Sequence, residues 1–191
     1  MGDPDFENKP NVNALWESVR KGSHQSFRML YVEYSEILYN YGRKMCPDGE
    51  LVRDSIQDVF KIIWEKRTHL EIKSSLKHYI LTVFRRDLIM KIKKQHQNVS
   101  YRSAEFELSV ELKIVLDEHQ LELRENLNRA ISKLTPRQRE ILFLRYYENM
   151  GFDEISNLMS LNHNSMYKLL SAALQRIKKY FLYMLLGIFW C

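Results

Sequence analysis

The side chains best suited to chemistry in this sequence are hydrogen-bond donors and cations, rather than nucleophiles or metal ligands. The six histidines are scattered, and no glycine-rich phosphate loop, HExxH or GxSxG motif occurs. The two cysteines, Cys46 and Cys191, have neither metal-ligand spacing nor a disulfide framework, which fits a reducing compartment. We therefore expect binding rather than catalysis, with no catalytic residue, no metal and no cofactor.

A polar and basic cluster lies at the start of the last predicted helix, near residue 163. Short donors and a lysine at a helix start suit base edges and phosphates in the major groove of DNA. Apolar residues recur at three- and four-residue spacing on the opposite side, from Met166 to Phe181, which favours packing on a domain. The candidate DNA contacts on the polar face are Asn164, Tyr167, Lys168 and Ser171, with His163 at the helix entry.

The elements before this helix predict a helix-turn-helix. Thr135-Pro136-Arg137-Gln138 forms a capping box with proline at the first helical position, which predicts a helix from there to about Glu148. A short helix over 152–159 and a turn at 160–162 follow. An ordinary helical hairpin with a solvated polar face has the same spacing, so spacing alone leaves both interpretations open.

The N-terminal half is also predicted to be helical, which makes the fold class all-α. Apolar stripes predict helices over 27–45, about 50–66 and about 74–94. On the second of these helices, four charged residues lie opposite the apolar stripe: Asp54, Asp58, Lys61 and Glu65.

Charge is distributed unevenly along the 191 residues, which carry a formal net charge of +5. Residues 85–102 contain six basic side chains and one acid, whereas residues 105–125 contain seven acids and two bases. The first stretch suits phosphate, which would repel the second. We predict a polar N-terminal segment, two helical domains, a linker between them and a hydrophobic tail. In chain order these are 1–24, 25–96 (first domain), 97–120 (linker), 121–180 (second domain) and 181–191.

The run from Leu134 to Phe181 resembles region 4 of sigma-70 family factors of RNA polymerase. The matching residues are Leu134, Pro136, Arg137, Arg139, Glu140, Ile141, Leu144, Arg145, Tyr146, Glu148, Phe152, Glu154, Ile155, Ala173, Leu174, Arg176, Ile177 and Lys178. The resemblance implies that this domain binds the upstream promoter element. It adds Arg137, Arg139, Ser165 and Arg176 to the candidate DNA contacts. Ser160 stands where the family's turn has glycine, which predicts a cost if Ser160 adopts positive φ.

Residues 48–66 resemble the family's segment for binding core polymerase. Asp54, Gln57, Asp58, Val59, Phe60 and Trp64 match its pattern position for position. The resemblance implies that this polar face docks on the coiled coil of the β′ subunit of core RNA polymerase, with the β subunit also a partner. Complementary charge would then speed and orient docking. The implied polymerase contacts are Asp54, Gln57, Asp58, Lys61, Trp64 and Glu65.

Residues 68–95 correspond by resemblance to the part of the family's region 2 that opens the promoter. Cations and aromatic rings suit this role, because stacking and phosphate neutralisation bind a single strand. The implied DNA contacts are Lys73, Lys77, His78, Tyr79, Arg85, Arg86, Lys91, Lys93 and Lys94. The chain lacks room for the central domain of larger sigma factors, so it resembles the small extracytoplasmic-function (ECF) group.

The resemblance implies a cytoplasmic, non-enzymatic sigma factor that directs core polymerase to promoter DNA and melts it. An anti-sigma factor is a further expected partner, on resemblance alone. Two alternatives remain from the residues themselves: a helix-turn-helix regulator that acts without polymerase, and an interaction module that sequesters a partner. Promoter-specific transcripts would support the sigma factor, and duplex binding without such transcripts would support the regulator. If neither is observed, the interaction module is supported.

The apolar run from Tyr180 to Trp190 forms the predicted tail. Eleven residues fall short of the ~20 that a membrane-spanning helix needs, so no stable membrane insertion is expected. The last helix could extend and pack on its own domain or on the first. Association with a membrane surface and contact with an anti-sigma factor are the alternatives.

Overall fold

The computed structural model describes residues 12–72, 75–95, 106–108 and 118–188. Within these ranges the regular structure is helical and contains no strand, which confirms the all-α fold class. The helices group into two compact units, residues 1–101 and residues 102–191.

The first unit contains helices α1 (Val12–Arg20), α2 (His24–Met45), α3 (Gly49–Lys66) and α4 (Leu76–Gln95). The apolar stripes of α2, α3 and α4 form its core, in which Leu38, Val59 and Phe84 are fully buried. The three helices pack closely around Gly42, where a Cβ atom would lie 2.7 Å from Val52 and 2.8 Å from Phe84. Glycine at position 42 therefore sets how tightly α2 packs against its two neighbours.

Helix α1 was not predicted, because the sequence analysis assigned residues 1–24 to a polar segment. Its nine residues bury only Trp16 and Val19, one turn apart. Val12, Leu15, Trp16 and Val19 do stand at helical spacing, but the pattern lasts only nine residues and was overlooked in a polar, proline-containing stretch. Ser23 then caps the start of α2, its hydroxyl accepting a hydrogen bond from the N–H of Ser26 (3.2 Å).

The second unit contains α5 (Glu118–Ser132), α6 (Pro136–Leu142), α7 (Phe152–Leu158) and α8 (His163–Ile188). The predicted capping box is confirmed: Thr135 Oγ1 accepts from the N–H of Gln138 (3.3 Å), and Gln138 Oε1 accepts from the N–H of Thr135 (3.1 Å). A π-helical turn, Phe143–Tyr147, continues α6 toward the position where the sequence predicted that the helix ends.

The turn between α7 and α8 contains a serine in the left-handed region. Ser160 has a φ of 53°, which is the conformation in which a cost was expected for serine in place of the family's glycine. The N–H of Leu161 donates to the carbonyl of Ser156 (2.8 Å), which closes the turn. A side chain in this conformation costs free energy that glycine would avoid, so Ser160 lowers the stability of the second unit.

Helix α8 continues well into the predicted hydrophobic tail and ends at Ile188. No helix in the described ranges is both long enough and apolar enough to cross a membrane. The side chains beyond Leu182 and the last three residues lie outside the described part of the chain, so what the tail contacts stays a prediction.

Candidate functional site

The exposed face of α3 is built from polar residues at three- and four-residue spacing. Asp54, Gln57, Asp58, Lys61 and Glu65 are all exposed. The other side of the same helix buries its apolar residues against α2 and α4. This face, called here the α3 polar face, therefore carries three carboxylates on a helix that the core holds rigidly. Such a surface suits a cationic partner.

Asp48 caps the start of α3 and fixes where the polar face begins. One of its carboxylate oxygens accepts from the N–H groups of Glu50 (3.0 Å) and Leu51 (3.2 Å). These bonds lower the pKa of the Asp48 carboxyl, the N–H of Leu51 contributing most, and the Gln95 amide adds a further bond. The ionised carboxylate is thus the form that stabilises the helix start.

Trp64 supports the α3 polar face more than it projects from it. Its ring is half-buried, 4.4 Å from His24 and 4.9 Å from Phe27 between ring centroids. The guanidinium of Arg67 lies 4.1 Å from the Trp64 ring, and Arg67 Nη1 donates to the Trp64 carbonyl (2.6 Å). Only the exposed part of the Trp64 indole is accessible, so the predicted polymerase contact of Trp64 is limited to that part.

Helix α4 carries most of the predicted DNA contacts of the first unit. Arg86, Lys93 and Lys94 are exposed, and Lys77, Tyr79 and Arg85 are half-buried. Burial raises the pKa of the Tyr79 phenol, which is therefore a neutral donor at neutral pH. Lys73 lies outside the described residues. The exposed cations follow one helix toward its C-terminus, where they also interact favourably with the helix dipole.

The structure contradicts the prediction that His78 contacts DNA. Its side chain is 6% exposed and faces the core of the first unit. The Nε2 atom lies 3.4 Å from the hydroxyl of Thr82, one turn further along α4. His78 is buried because it lies one helical turn before the core residue Leu81, so its side chain extends the apolar face of α4.

Lys91, a predicted DNA contact, forms ion pairs within the first unit. Its Nζ atom lies 2.5 Å from Asp58 Oδ2 and 3.2 Å from Asp87 Oδ2. Asp58 is itself a predicted polymerase contact, so two residues assigned to different partners pair with each other. Nothing in the residue pattern indicated this pairing, because the two positions are 33 residues apart.

At the start of α8, the predicted DNA-binding side chains lie together on one exposed face. Asn162 caps the helix, its Oδ1 accepting from the N–H of Ser165 (2.8 Å). Asn164, Tyr167, Lys168 and Ser171 are exposed, and His163 is exposed beside them. Met166, Leu170 and Ala173 are buried on the other side. We call the exposed set the α8 polar face. It offers neutral donors and one lysine beside the positive end of the helix dipole.

The ring of Tyr167 is supported by residues that the sequence analysis did not assign to the site. Its centroid lies 5.0 Å from that of Phe152, at the start of α7. The Arg145 guanidinium lies 4.4 Å from the Phe152 ring, and Nη1 donates to the Met150 carbonyl (2.8 Å). Arg145 and Phe152 thus position an exposed aromatic ring, and only the match to the family pattern singled them out in the sequence.

The remaining predicted contacts of this unit differ in how available they are. Arg137 is exposed, whereas Arg139 is half-buried. Arg176 is exposed, but its Nη1 donates to Gln138 Oε1 (2.9 Å), which ties α8 to the capping box of α6. Ser165 is half-buried, and its N–H belongs to the cap of α8. Arg176 therefore has a packing role beside its predicted contact with DNA.

Two family models match the chain. Sigma-70 region 2 matches residues 30–97, and Sigma-70, region 4 matches residues 124–177. Among curated proteins, the chain is similar to the ECF RNA polymerase sigma factor SigM of Bacillus subtilis (strain 168), with 25% identity over 78% of this chain and 91% of that protein. It is also similar to the ECF RNA polymerase sigma factor SigK of Mycobacterium ulcerans (strain Agy99), with 20% identity over 88% of this chain and 92% of that protein.

Two solved structures share the fold. One is CnrH in complex with the cytosolic domain of CnrY, with a TM-score of 0.58, 15% identity and coverage of 87% of this chain and 94% of that one. The other is the sigma factor RpoE in complex with the anti-sigma factor NepR from Bartonella quintana, with a TM-score of 0.59, 16% identity and coverage of 82% and 97%.

The chain belongs to the sigma-70 family and, within it, to the ECF group. It is a sigma factor that directs RNA polymerase to promoters. The region 2 match covers α3 and α4, and the region 4 match covers α6, α7 and the first half of α8. The α3 polar face and the α8 polar face therefore fall within different family regions.

Proposed function

We propose that the α3 polar face binds core RNA polymerase, that exposed cations of α4 hold the opened DNA strand, and that the α8 polar face contacts the upstream promoter element. The observation that carries the proposal is the exposure of Asn164, Tyr167 and Lys168 on a helix whose opposite side is buried. Burial of these three side chains would have excluded a DNA contact.

The charges of the exposed side chains support the assignment of all three surfaces. The α3 polar face has more acids than bases, which suits a basic helical surface of polymerase and opposes direct contact with DNA. Arg86, Lys93 and Lys94 on α4 suit the phosphates of a single strand. The α8 polar face has neutral donors that can distinguish base edges, with Lys168 for a phosphate.

Run-off transcription with purified core polymerase tests the proposal. The wild-type chain should give promoter-specific transcripts, and Asp54→Arg should reduce core affinity by charge reversal while the helicity stays unchanged. Asp54 is the best position for this test, because it is exposed and, unlike Asp58, forms no ion pair in the described part of the chain. Undiminished core binding by Asp54→Arg would show that polymerase uses another face.

A matched control for Asp54→Arg is Glu36→Arg, which makes the same charge reversal at an exposed position of α2 outside the proposed surfaces. We expect core affinity close to that of the wild type for this variant. An equal loss in both variants would indicate a general charge effect rather than a docked face.

The alternative of a helix-turn-helix regulator without polymerase is disfavoured by the region 2 match, since such a regulator has no use for a polymerase-binding segment. The alternative of a sequestering module gains no support, and the two structural neighbours were solved as complexes with protein partners, one of which is an anti-sigma factor. We propose that such a complex regulates this chain, with an anti-sigma factor as the partner. We also propose that the chain acts in the cytoplasm and has no catalytic activity of its own.

A further inference from the structure

Two charged residues that the resemblance assigns to different partners, Asp58 to polymerase and Lys91 to DNA, bind each other in the first unit. Lys91 on α4 places its Nζ atom 2.5 Å from Asp58 Oδ2 on α3 and 3.2 Å from Asp87 Oδ2 on its own helix. Because Asp58 and Lys91 are far apart in the sequence, their pair exists only while α3 and α4 are packed together.

The surroundings of Lys91 make this pair more than a transient surface contact. The Lys91 side chain is 23% exposed and the Asp87 side chain 18%, whereas Asp58 is 52% exposed. Burial alone would lower the pKa of Lys91, but hydrogen bonds and charge from Asp58 and Asp87 outweigh burial and raise it. The ammonium stays charged and its donors point to protein carboxylates. Neither Lys91 nor the Oδ2 atom of Asp58 is therefore fully available to a partner.

We infer that the Asp58–Lys91 pair couples polymerase binding to DNA binding. This inference rests on the proposed function of α3 and α4. A cationic polymerase surface that takes Asp58 leaves Lys91 freer to bind phosphate, and a phosphate that takes Lys91 leaves Asp58 freer to bind polymerase. Each partner then lowers the cost of binding the other, and this effect is reciprocal because it is a coupling free energy. The Asp87 carboxylate still stabilises the charged form of Lys91 when Asp58 binds polymerase.

The DNA side of the coupling is tested with the full chain and a fluorescent single-stranded oligonucleotide, titrated at several salt concentrations. Asp58→Asn should free Lys91, tighten binding about two- to fivefold and make the log–log salt slope more negative by about 0.7. In a Lys91→Met background, the same Asp58→Asn substitution should give no gain, because the cation that it frees is missing.

Two outcomes of this experiment would overturn the coupling. The first is an Asp58→Asn variant with wild-type affinity and wild-type salt slope. The second is an equal gain with and without Lys91, since the gain would then come from lost negative charge alone. Glu36→Gln is the matched control, because it removes an exposed carboxylate of the same unit outside both surfaces. It should leave affinity within the error of wild type.

The polymerase side is tested with Lys91→Met combined with Asp87→Asn, which removes the ammonium together with the buried carboxylate that depends on it. The doubly substituted chain should bind core polymerase about two- to fivefold more tightly than wild type, because Asp58 is no longer paired. Far-UV circular dichroism verifies that the helices are retained. Unchanged core affinity in a folded variant would overturn the coupling on this side.

The coupling and the proposed function fail in different ways. If Asp54→Arg leaves core affinity intact, the assignment of polymerase to α3 is wrong, whatever the oligonucleotide titration shows. If Asp54→Arg weakens core binding but Asp58→Asn leaves DNA binding unchanged, the two surfaces are assigned correctly and only their coupling falls.

Discussion

Different kinds of side chain are exposed on the α3–α4 surface, which comprises the α3 polar face and the exposed cations of α4, and on the α8 polar face. On α3 and α4 the groups that define the surface are charged, and one pair bridges the two helices through Asp58 and Lys91. On α8 the exposed groups are mostly neutral donors, positioned by a cap at Asn162 and by the Phe152 ring beneath Tyr167. The first surface is therefore organised by charge across helices, and the second by local hydrogen bonds and stacking.

Under the proposed function, affinity and specificity are separated between the two surfaces. Charged surfaces give orientation and association rate to a large partner, whereas neutral donors in a groove distinguish base edges. The following variants test the contrast between a charge-organised and a locally organised surface.

The largest expected effect is on the stability of the first unit. Lys91→Met leaves the Asp87 carboxylate partly buried without its cation, which should lower the free energy of unfolding by about 1–3 kcal/mol. Lys168→Met removes an exposed lysine of the second unit and should change it by less than about 0.5 kcal/mol. Urea denaturation followed by circular dichroism measures both. Equal losses of unfolding free energy in the two variants would contradict the expected difference between the two surfaces.

The next effect concerns DNA binding by α8. Asn164→Ala should cost about 1–3 kcal/mol on the cognate duplex if the amide contacts a base edge, with the salt slope unchanged. Lys168→Ala should instead reduce the salt slope by about 0.9, as expected for one lost phosphate contact. Fluorescence anisotropy at several salt concentrations separates the two. A salt slope that falls with Asn164→Ala but not with Lys168→Ala would reverse these roles.

A smaller stabilisation is expected from relieving the turn before α8. Ser160→Gly removes the cost of a side chain at positive φ and should raise the free energy of unfolding by about 0.5–1 kcal/mol. Asn149, at a φ of 54°, is the matched control: Asn149→Gly should gain less, because asparagine tolerates this conformation better than serine. Thermal melts measure both variants, and a loss of stability in Ser160→Gly would be the contrary result.

The smallest effect is a difference in acid sensitivity between the two helix caps. The pKa of Asp48 is lowered in the folded chain, so its cap stabilises the first unit fully above the unfolded pKa, about 4, and this contribution is lost as pH falls below it. Thr135, which caps α6, does not titrate. Asp48→Asn should therefore weaken the dependence of the melting temperature on pH between about 2 and 4, and Thr135→Ser should leave it unchanged.

Helical periodicity predicted most of the fold, because α2, α3 and α8 each carry a long apolar stripe opposite polar residues. Helix α1 was missed although Val12, Leu15, Trp16 and Val19 stand at helical spacing, because this pattern lasts only nine residues and follows a polar segment. The π-helical turn after α6 was missed as well, since nothing in the apolar spacing distinguishes it from the end of an α-helix.

The candidate sites were predictable to the extent that exposure follows from helical spacing. That principle placed Asn164, Lys168 and Asp54 on exposed faces. The prediction for His78 was wrong. The resemblance implied a DNA contact there, but the apolar face of α4 buries this side chain. Helical spacing did not indicate the Asp58–Lys91 ion pair, because pairing across helices depends on how α3 and α4 pack, which the sequence of either helix alone does not specify.

The close approach of three helices at Gly42 has a consequence for sequence variation. A methyl group at position 42 would overlap both Val52 and Phe84, so the three positions share one fixed volume. Homologous chains should accept alanine at position 42 only together with a smaller residue at position 52 or 84. Among natural variants, these three sites are therefore expected to change in concert rather than independently.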